Sequence, residues 1–287
     1  MPISKPTTIA WLQAAPYGLV LLMFFGVPMA LILIVSFCEY ETGQVIFRFT
    51  LDNYREIITS KVARDLYLKS LYYTVIVWVF SLAIGFWISY FLAFYVRPVR
   101  LQILLFLLCT IPFLTSLIIR MISWIPILGR EGVINKTLIA TGIVEQPVDW
   151  LLYSDFSVIV AYIHLYTLFM IVPIFNAMAR IDAATIGAAR DAGASPWQIL
   201  VNIIIPLSRS GIALGTVFII ALVMGDFFVV RVMSGGQRAS VVSALFNEIA
   251  NLQYPPAAAN AVILVVFVSV MIALVMRVVD VRKELVQ

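Results

Sequence analysis

The sequence predicts an all-α integral membrane protein with about six transmembrane helices. Three observations carry this reading. Of 287 residues, 63% are hydrophobic and only 12% charged, whereas soluble domains carry roughly 25% charged residues. Mean hydropathy is +1.04. Six apolar runs are each long enough to cross roughly 30 Å of hydrocarbon at about 1.5 Å per helical residue. So little polar surface cannot wrap a water-soluble globule, and lipid must cover much of the exterior. The runs are continuous and lack two-residue alternation, which argues against a barrel. Backbone groups in lipid then require helices. The chain reads as a single transmembrane domain over residues 1–287.

The spans lie near 14–38, 70–95, 101–124, 156–178, 208–232 and 257–277. Lys5 precedes an apolar stretch from Pro16 to Phe37. That stretch is longer than a signal h-region and no good small-residue cleavage site follows it, so it reads as a retained first span. After it, Thr50-Leu51-Asp52-Asn53-Tyr54 opens an amphipathic stretch with Tyr54, Ile57, Ile58 and Val62 at helical spacing. Residues 126–155 mix apolar and polar side chains and end near Trp150, an interface anchor. Gly235-Gly236 and Pro255-Pro256 are turn signals in the segment 233–256. These loops read as a docking surface for another protein, with lids over the bundle as the alternative.

Orientation follows from the basic residues. With the N-terminus in the cytoplasm, Lys5, Arg97, Arg100, Arg180, Arg190, Arg209, Arg277, Arg282 and Lys283 lie inside, against the acids Asp182, Asp191, Asp280 and Glu284. The short loop from Val96 to Arg100, VRPVR, is the clearest case. Six spans return the C-terminus to the cytoplasm. The net charge of +4 is read through this topology and not as a nucleic-acid footprint. Cys38 and Cys109 lie in apolar runs without metal-ligand spacing and read as free thiols.

The cytoplasmic segment 179–207 is the most informative part of the chain. From Ile181 to Gly211 it reads IDAATIGAARDAGASPWQILVNIIIPLSRSG. This spells two short helices joined by a turn. Asp182 caps the first, and Gly193 is its natural terminator. Ser195 and Pro196 supply the second N-cap and a first-turn proline. Trp197, Leu200 and Ile204 form an apolar stripe, and Pro206 ends the helix. Ala183, Ala184, Ala188, Ala189, Ala192 and Ala194 leave a face without bulk, which lets another protein approach the backbone closely.

This segment resembles the EAA loop of ABC importer permeases: Glu-Ala-Ala, three residues, Gly, nine residues, then Ile-x-Leu-Pro. Ala188 and Ala189 match the alanines, Gly193 the glycine, and Ile203, Ile205 and Pro206 the ending, with Ile for Leu. Gly187 stands where the family has glutamate. TLDNYREII, PFLTSLIIRMISWIPILGREGVIN and GDFFVVRVMSGG extend the resemblance over most of residues 50–270. They are similar to spermidine/putrescine permeases. Permeases for ferric iron, phosphonates and opines carry related text.

The resemblance implies a type I ABC importer transmembrane-domain fold in a bacterial inner membrane. Its implied partners are a second homologous permease or a copy of this chain, two ATP-binding subunits and an external substrate-binding protein. It further implies that ATP and magnesium belong to the ATPase subunits and that this chain binds no cofactor of its own. Coupling to the ATPases is assigned by resemblance to residues 187–206.

Ionisable residues inside spans need an account of their own. Arg120 and Asp226 fall at similar distances along outward-running spans, so either they pair or Asp226 meets a cationic substrate. His164, the sole histidine, reads by default as a satisfied core imidazole and otherwise as pore lining. Thr115 and Ser116 follow Pro112, a kink where backbone polar groups open toward a cavity. No G-x-x-x-x-G-K-[ST], HExxH or nucleophile elbow occurs. The sequence therefore reads as a transport subunit without catalytic or metal-ligating residues. An ion-coupled secondary transporter is the weaker alternative, because it would need more buried acids or two related halves.

Overall fold

The computed structural model describes residues 8–41 and 44–278. Both chain termini lie outside them, as do Lys5, Asp280, Arg282, Lys283 and Glu284. The chain divides into two compact units. One holds the residues up to 64 together with 245–266; the other holds 65–244 and the residues from 267 onward.

The first span is α1 (Thr8–Leu21), a π turn over Leu22–Gly26, and α2 (Val27–Val35). Pro28 has no amide proton to give the preceding turn, and a widened turn accommodates the loss. A ribbon follows: β1 (Glu39–Glu41) pairs antiparallel with β2 (Gln44–Ile46), Tyr40 opposite Val45. The amphipathic stretch forms α3 (Asp52–Thr59). It is held to the end of the first span by Asn53, whose amide donates to the carbonyls of Ser36 at 3.1 Å and Cys38 at 2.9 Å. The Ser36 and Tyr54 hydroxyls share a bond of 2.6 Å.

The second span is α4 (Lys61–Phe94), 34 residues long. Next come α5 (Val99–Thr110), a 3-10 turn over Ile111–Leu114, α6 (Leu117–Ile122), α7 (Ile125–Leu128) and α8 (Val133–Ala140). The fourth span, α9 (Asp155–Met178), opens on a reciprocal cap between Ser154 and Ser157. The predicted cytoplasmic segment forms α10 (Ala183–Asp191), α11 (Pro196–Ile199), a π turn over Leu200–Ile204, and α12 (Ile205–Leu207). The described residues close with α13 (Arg209–Met224), α14 (Phe228–Met233), α15 (Val241–Ala250) and α16 (Tyr254–Val278).

Among the described residues, four stretches are apolar and long enough to cross a membrane: Ala15–Val35, Lys61–Phe94, Asp149–Met178 and Tyr254–Arg277. Two more candidates are bent pairs, and counting each as one span gives six. The third predicted span is not a continuous helix. Val99–Leu114 and Leu117–Ala140 meet at 93°. Pro112 removes a ladder amide, and Thr115 is extended. The fifth is preceded by a 63° bend between Pro196–Leu207 and Arg209–Met224. There the Ser208 hydroxyl donates to the Ile204 carbonyl at 2.6 Å, in competition with the helical ladder. Its helix also stops at Met224, short of the predicted end near 232. Pro255 and Pro256 do not belong to the preceding loop; they sit in the first turn of α16, where a missing amide costs little.

The core of the larger unit forms where α9 meets α13 and α4. Tyr73, Val77, Tyr162, Met170, Ile174 and Ile219 are buried there. Glycines set the spacing. A Cβ on Gly211 would collide with the Pro173 carbonyl oxygen, and one on Gly215 would lie 2.5 Å from the Met170 sulfur. On α4, a Cβ at Gly85 would be 2.9 Å from Met170 Cγ. Small residues thus let neighbouring helices approach α9 closely, as membrane helices generally do. Polar cross-links add to this: Trp78 Nε1 donates to Thr216 Oγ1 at 2.9 Å, and Ser89 Oγ to the Ile171 carbonyl at 3.0 Å.

Candidate functional site

Two regions hold the residues singled out by sequence. The first is the two-helix connector between α9 and α13. Asp182 Oδ1 accepts from the Ala184 amide at 2.9 Å and starts α10. At the other end, the Ala194 amide donates to the Ala189 carbonyl at 3.0 Å and the Gly193 amide to the Arg190 carbonyl at 2.9 Å. This pair of bonds is a Schellman motif, and it places Gly193 at φ +82°. The second helix begins on a reciprocal cap. Gln198 Oε1 accepts from the Ser195 amide at 2.8 Å, and Ser195 Oγ accepts from the Gln198 amide at 3.3 Å. Pro196 fills the first helical position, where no amide is missed. These hydrogen bonds are all local, and Ile199, Leu200 and Ile204 anchor the connector in the core.

The connector's faces differ from the sequence expectation in two respects. The stripe Trp197, Leu200, Ile204 is divided: Leu200 and Ile204 are buried, whereas Trp197 is 68% exposed. The π turn explains this, because the extra residue changes the helical register after Ile199. The alanines are divided too. Ala183, Ala184, Ala188 and Ala192 are exposed, but Ala189 is half-buried and packs toward the core. The bare outward face is therefore carried by Ala184 and Ala188, not by Ala189. Gly187 is half-buried, and a Cβ there would meet no atom within 4 Å. Pro206 is exposed and lies inside α12, just before the bend at Ser208, where the second helix ends one residue later than predicted.

The second region lies along the third, fourth and fifth spans. Asp226 sits in the break between α13 and α14. Its Oδ1 accepts from the Val229 amide at 2.8 Å and so caps α14. The Tyr166 hydroxyl donates to Oδ2 at 3.1 Å, and the Tyr162 hydroxyl approaches Oδ1 at 3.4 Å. Arg120, on α6, forms no ion pair with Asp226. Its guanidinium lies 5.5 Å from the centroid of the Phe113 ring, and its buried Nε has no hydrogen-bond partner among the described residues. The expected pairing fails because the third span breaks at Pro112 and the fifth after Met224, so equal residue counts no longer mean equal positions. His164 is exposed and not in the core; its Nδ1 accepts from Trp124 Nε1 at 3.1 Å. The Thr115 hydroxyl donates back to the Pro112 carbonyl at 2.7 Å, and the Ser116 carbonyl takes the Arg120 amide at 3.1 Å. Both residues are exposed beside the break.

Tyr162 and Tyr166 escaped the sequence reading. The available signal was their four-residue spacing on one helix, which puts two hydroxyls on one face. Their rings stack at 5.6 Å, and Tyr73 lies 6.4 Å from Tyr162. Tyr73 in turn donates to Asp155 Oδ1 at 2.6 Å, while Lys69 reaches Asp155 Oδ2 at 2.6 Å. Arg238 lies 3.5 Å from the same carboxylate. This cluster at the start of α9 joins the second span, the fourth span and the loop after α14.

Broken apolar helices, with a locally capped two-helix connector between two spans, describe a polytopic α-helical membrane protein. The chain belongs to the family of binding-protein-dependent transport system inner membrane components, whose model matches residues 99–283. It is the permease subunit of a binding-protein-dependent ABC importer. It is similar to the spermidine/putrescine transport system permease protein PotB of Haemophilus influenzae, with 30% identity over 229 residues and 79% of each chain covered. PotB of Escherichia coli shares 29% over 254 residues, covering 88% of this chain and 91% of the relative. The structure resembles a chain of a bacterial alginate ABC transporter solved with an alginate pentasaccharide-bound periplasmic protein. The TM-score is 0.77 at 15% identity, with 94% of this chain and 93% of the other covered.

Proposed function

We propose that this permease subunit imports a polyamine-like organic cation, delivered by an external binding protein, and that residues 187–206 couple it to separate cytoplasmic ATPases. The self-capped connector carries the proposal. A segment with a Schellman turn at Gly193 and a capping box at Ser195, anchored in the core by Ile199, Leu200 and Ile204, has the stiffness that a force-transmitting contact requires. The two ATPases bind and hydrolyse ATP with magnesium; this chain contributes the lever. Closure of the ATPases draws the connectors of two permeases together and opens the bundle outward, and hydrolysis resets it. A second permease, homologous or identical, completes the importer that the family membership implies. The connector and both termini lie in the cytoplasm.

The polyamine class is supported by the relatives' named substrates. It is supported too by Asp226, whose carboxylate stands beside two tyrosine rings of the kind that attract ammonium groups. A second reading, a carboxylate-bearing solute such as an opine, is favoured by Arg120, whose buried Nε has no hydrogen-bond partner among the described residues. Uptake of labelled spermidine, with opines, phosphonate and ferric ion as competitors, separates the two.

Gly193→Val tests the coupling role. Nothing lies within 4 Å of a Cβ there, so the cost is conformational, not steric. A β-branched residue at positive φ costs about 1–3 kcal/mol. The variant should insert normally, whereas co-purification of the ATPase and uptake should both fall sharply. Normal ATPase association with normal uptake would remove the connector from the mechanism.

A further inference from the structure

We propose that a cavity beside the connector binds the phosphate headgroup of an anionic phospholipid from the cytoplasmic leaflet. This rests on the orientation proposed above. The cavity has a volume of about 670 Å³, within the usual range of ligand sites, roughly 300–1,000 Å³. Its walls come from the end of α4 and the turn after it, the end of α9, and the connector helices. Two arginines line it, Arg97 from the turn and Arg190 from α10, and no acidic residue does. Neither arginine makes an ion pair among the described residues, and both are exposed. Paired guanidinium forks are the side chains best suited to phosphate oxygens.

The remaining lining argues for a lipid over a soluble anion. Phe94, Met178 and Ile186 give the cavity an apolar wall at the end of two spans. Basic pockets between membrane helices on the cytoplasmic side are where acidic headgroups collect. Gly187, which departs from the glutamate of the EAA pattern, lines the same cavity. A glutamate there would stand three residues before Arg190 on α10, in reach of its charge. Glycine leaves Arg190 available to an outside anion. A phosphate shared by Arg97 and Arg190 would tie the end of the second span to the first connector helix, and so set how firmly the connector is held to the membrane.

Native mass spectrometry of the detergent-purified protein tests this with dioleoyl phosphatidylglycerol and dioleoyl phosphatidylcholine at equal concentration. The wild-type chain should retain phosphatidylglycerol about tenfold more than phosphatidylcholine, and Arg97→Gln with Arg190→Gln should abolish that preference. Gly187→Glu is the second variant, because a side chain fits there without a clash; it should lower phosphatidylglycerol retention as well. Melting and gel-filtration profiles establish that each variant is folded. Lack of preference in the wild type overturns the proposal, as does undiminished retention in both variants. Displacement by millimolar glycerol phosphate would assign the site to a soluble phosphate and overturn the lipid. Cysteine labelling at position 198 in intact cells reports the orientation separately, so failure of that reading is distinguishable from failure of the site.

Discussion

Asp226 shows how one side chain serves two purposes in a membrane. Its carboxylate caps α14 and accepts from Tyr166 and, more weakly, Tyr162. These bonds account for an acid at that depth without any ion pair. Asparagine caps helices about as well as aspartate, and it keeps an oxygen for the tyrosines. Asp226→Asn should therefore leave the protein folded and assembled, with an unchanged melting temperature. The charge alone is removed, so uptake of a cationic solute should fall about tenfold or more, as expected when a charged partner is lost from a desolvated site. A folded Asp226→Asn variant with wild-type uptake would leave the residue a cap and nothing more. Arg120 is the complementary case. Its Nε, beside Phe113 and without a hydrogen-bond partner among the described residues, is not legible in the sequence, because the break at Pro112 separates position along the chain from position in space.

At the scale of elements, short-range signals were legible and long-range ones were not. Asp182, Gly193, Ser195 and Pro196 act within four residues of themselves, and the structure has each where the sequence puts it. Pro112 announced a kink, but its size, 93°, depends on how the following helices pack. The division of Trp197 from Leu200 and Ile204 depends on a π turn that no pattern in the sequence specifies. Helix α15 offers a test of the same kind in the smaller unit. Burial pushes the Glu248 carboxyl above its ordinary value near 4.5; Glu56 adds to the rise, and a bond from the Asn260 amide opposes it. A carboxyl that holds its proton more tightly when folded makes the native state bind more protons than the unfolded one. Stability then falls as pH climbs above about 4.5 and through the folded value. Glu248→Gln removes that penalty. Its melting temperature should exceed the wild type's at pH 7, and the gap should close by about pH 4. Equal melting temperatures at pH 7 would mean that the carboxylate is compensated by contacts other than Asn260.

For the whole molecule, the six-span path is read from the apolar runs, and the proposed orientation rests on a few arginines. The VRPVR turn, with Arg97 and Arg100, and the connector, with Arg180 and Arg190, belong on one side of the membrane if basic residues stay in the cytoplasm. The structure adds a geometric condition. Arg97 and Arg190 line one cavity together with the ends of α4 and α9, so the turn after the second span and the connector are on the same side by construction. Whichever side holds one holds both. Positions beyond α8 and between α14 and α15 are separated from the connector by the fourth and fifth candidate spans. A single cysteine at Gln146 or Gln237 should thus react with an impermeant reagent added to intact cells, and one at Gln198 should not. Gln198 is exposed at the capping box, so protection there would reflect the membrane and not burial in the chain. After permeabilisation the Gln198 site should label fully. Labelling of position 198 in intact cells, with 146 and 237 protected, would invert the protein and move the connector away from any cytoplasmic ATPase. All three sites reacting alike would refute the six-span path itself.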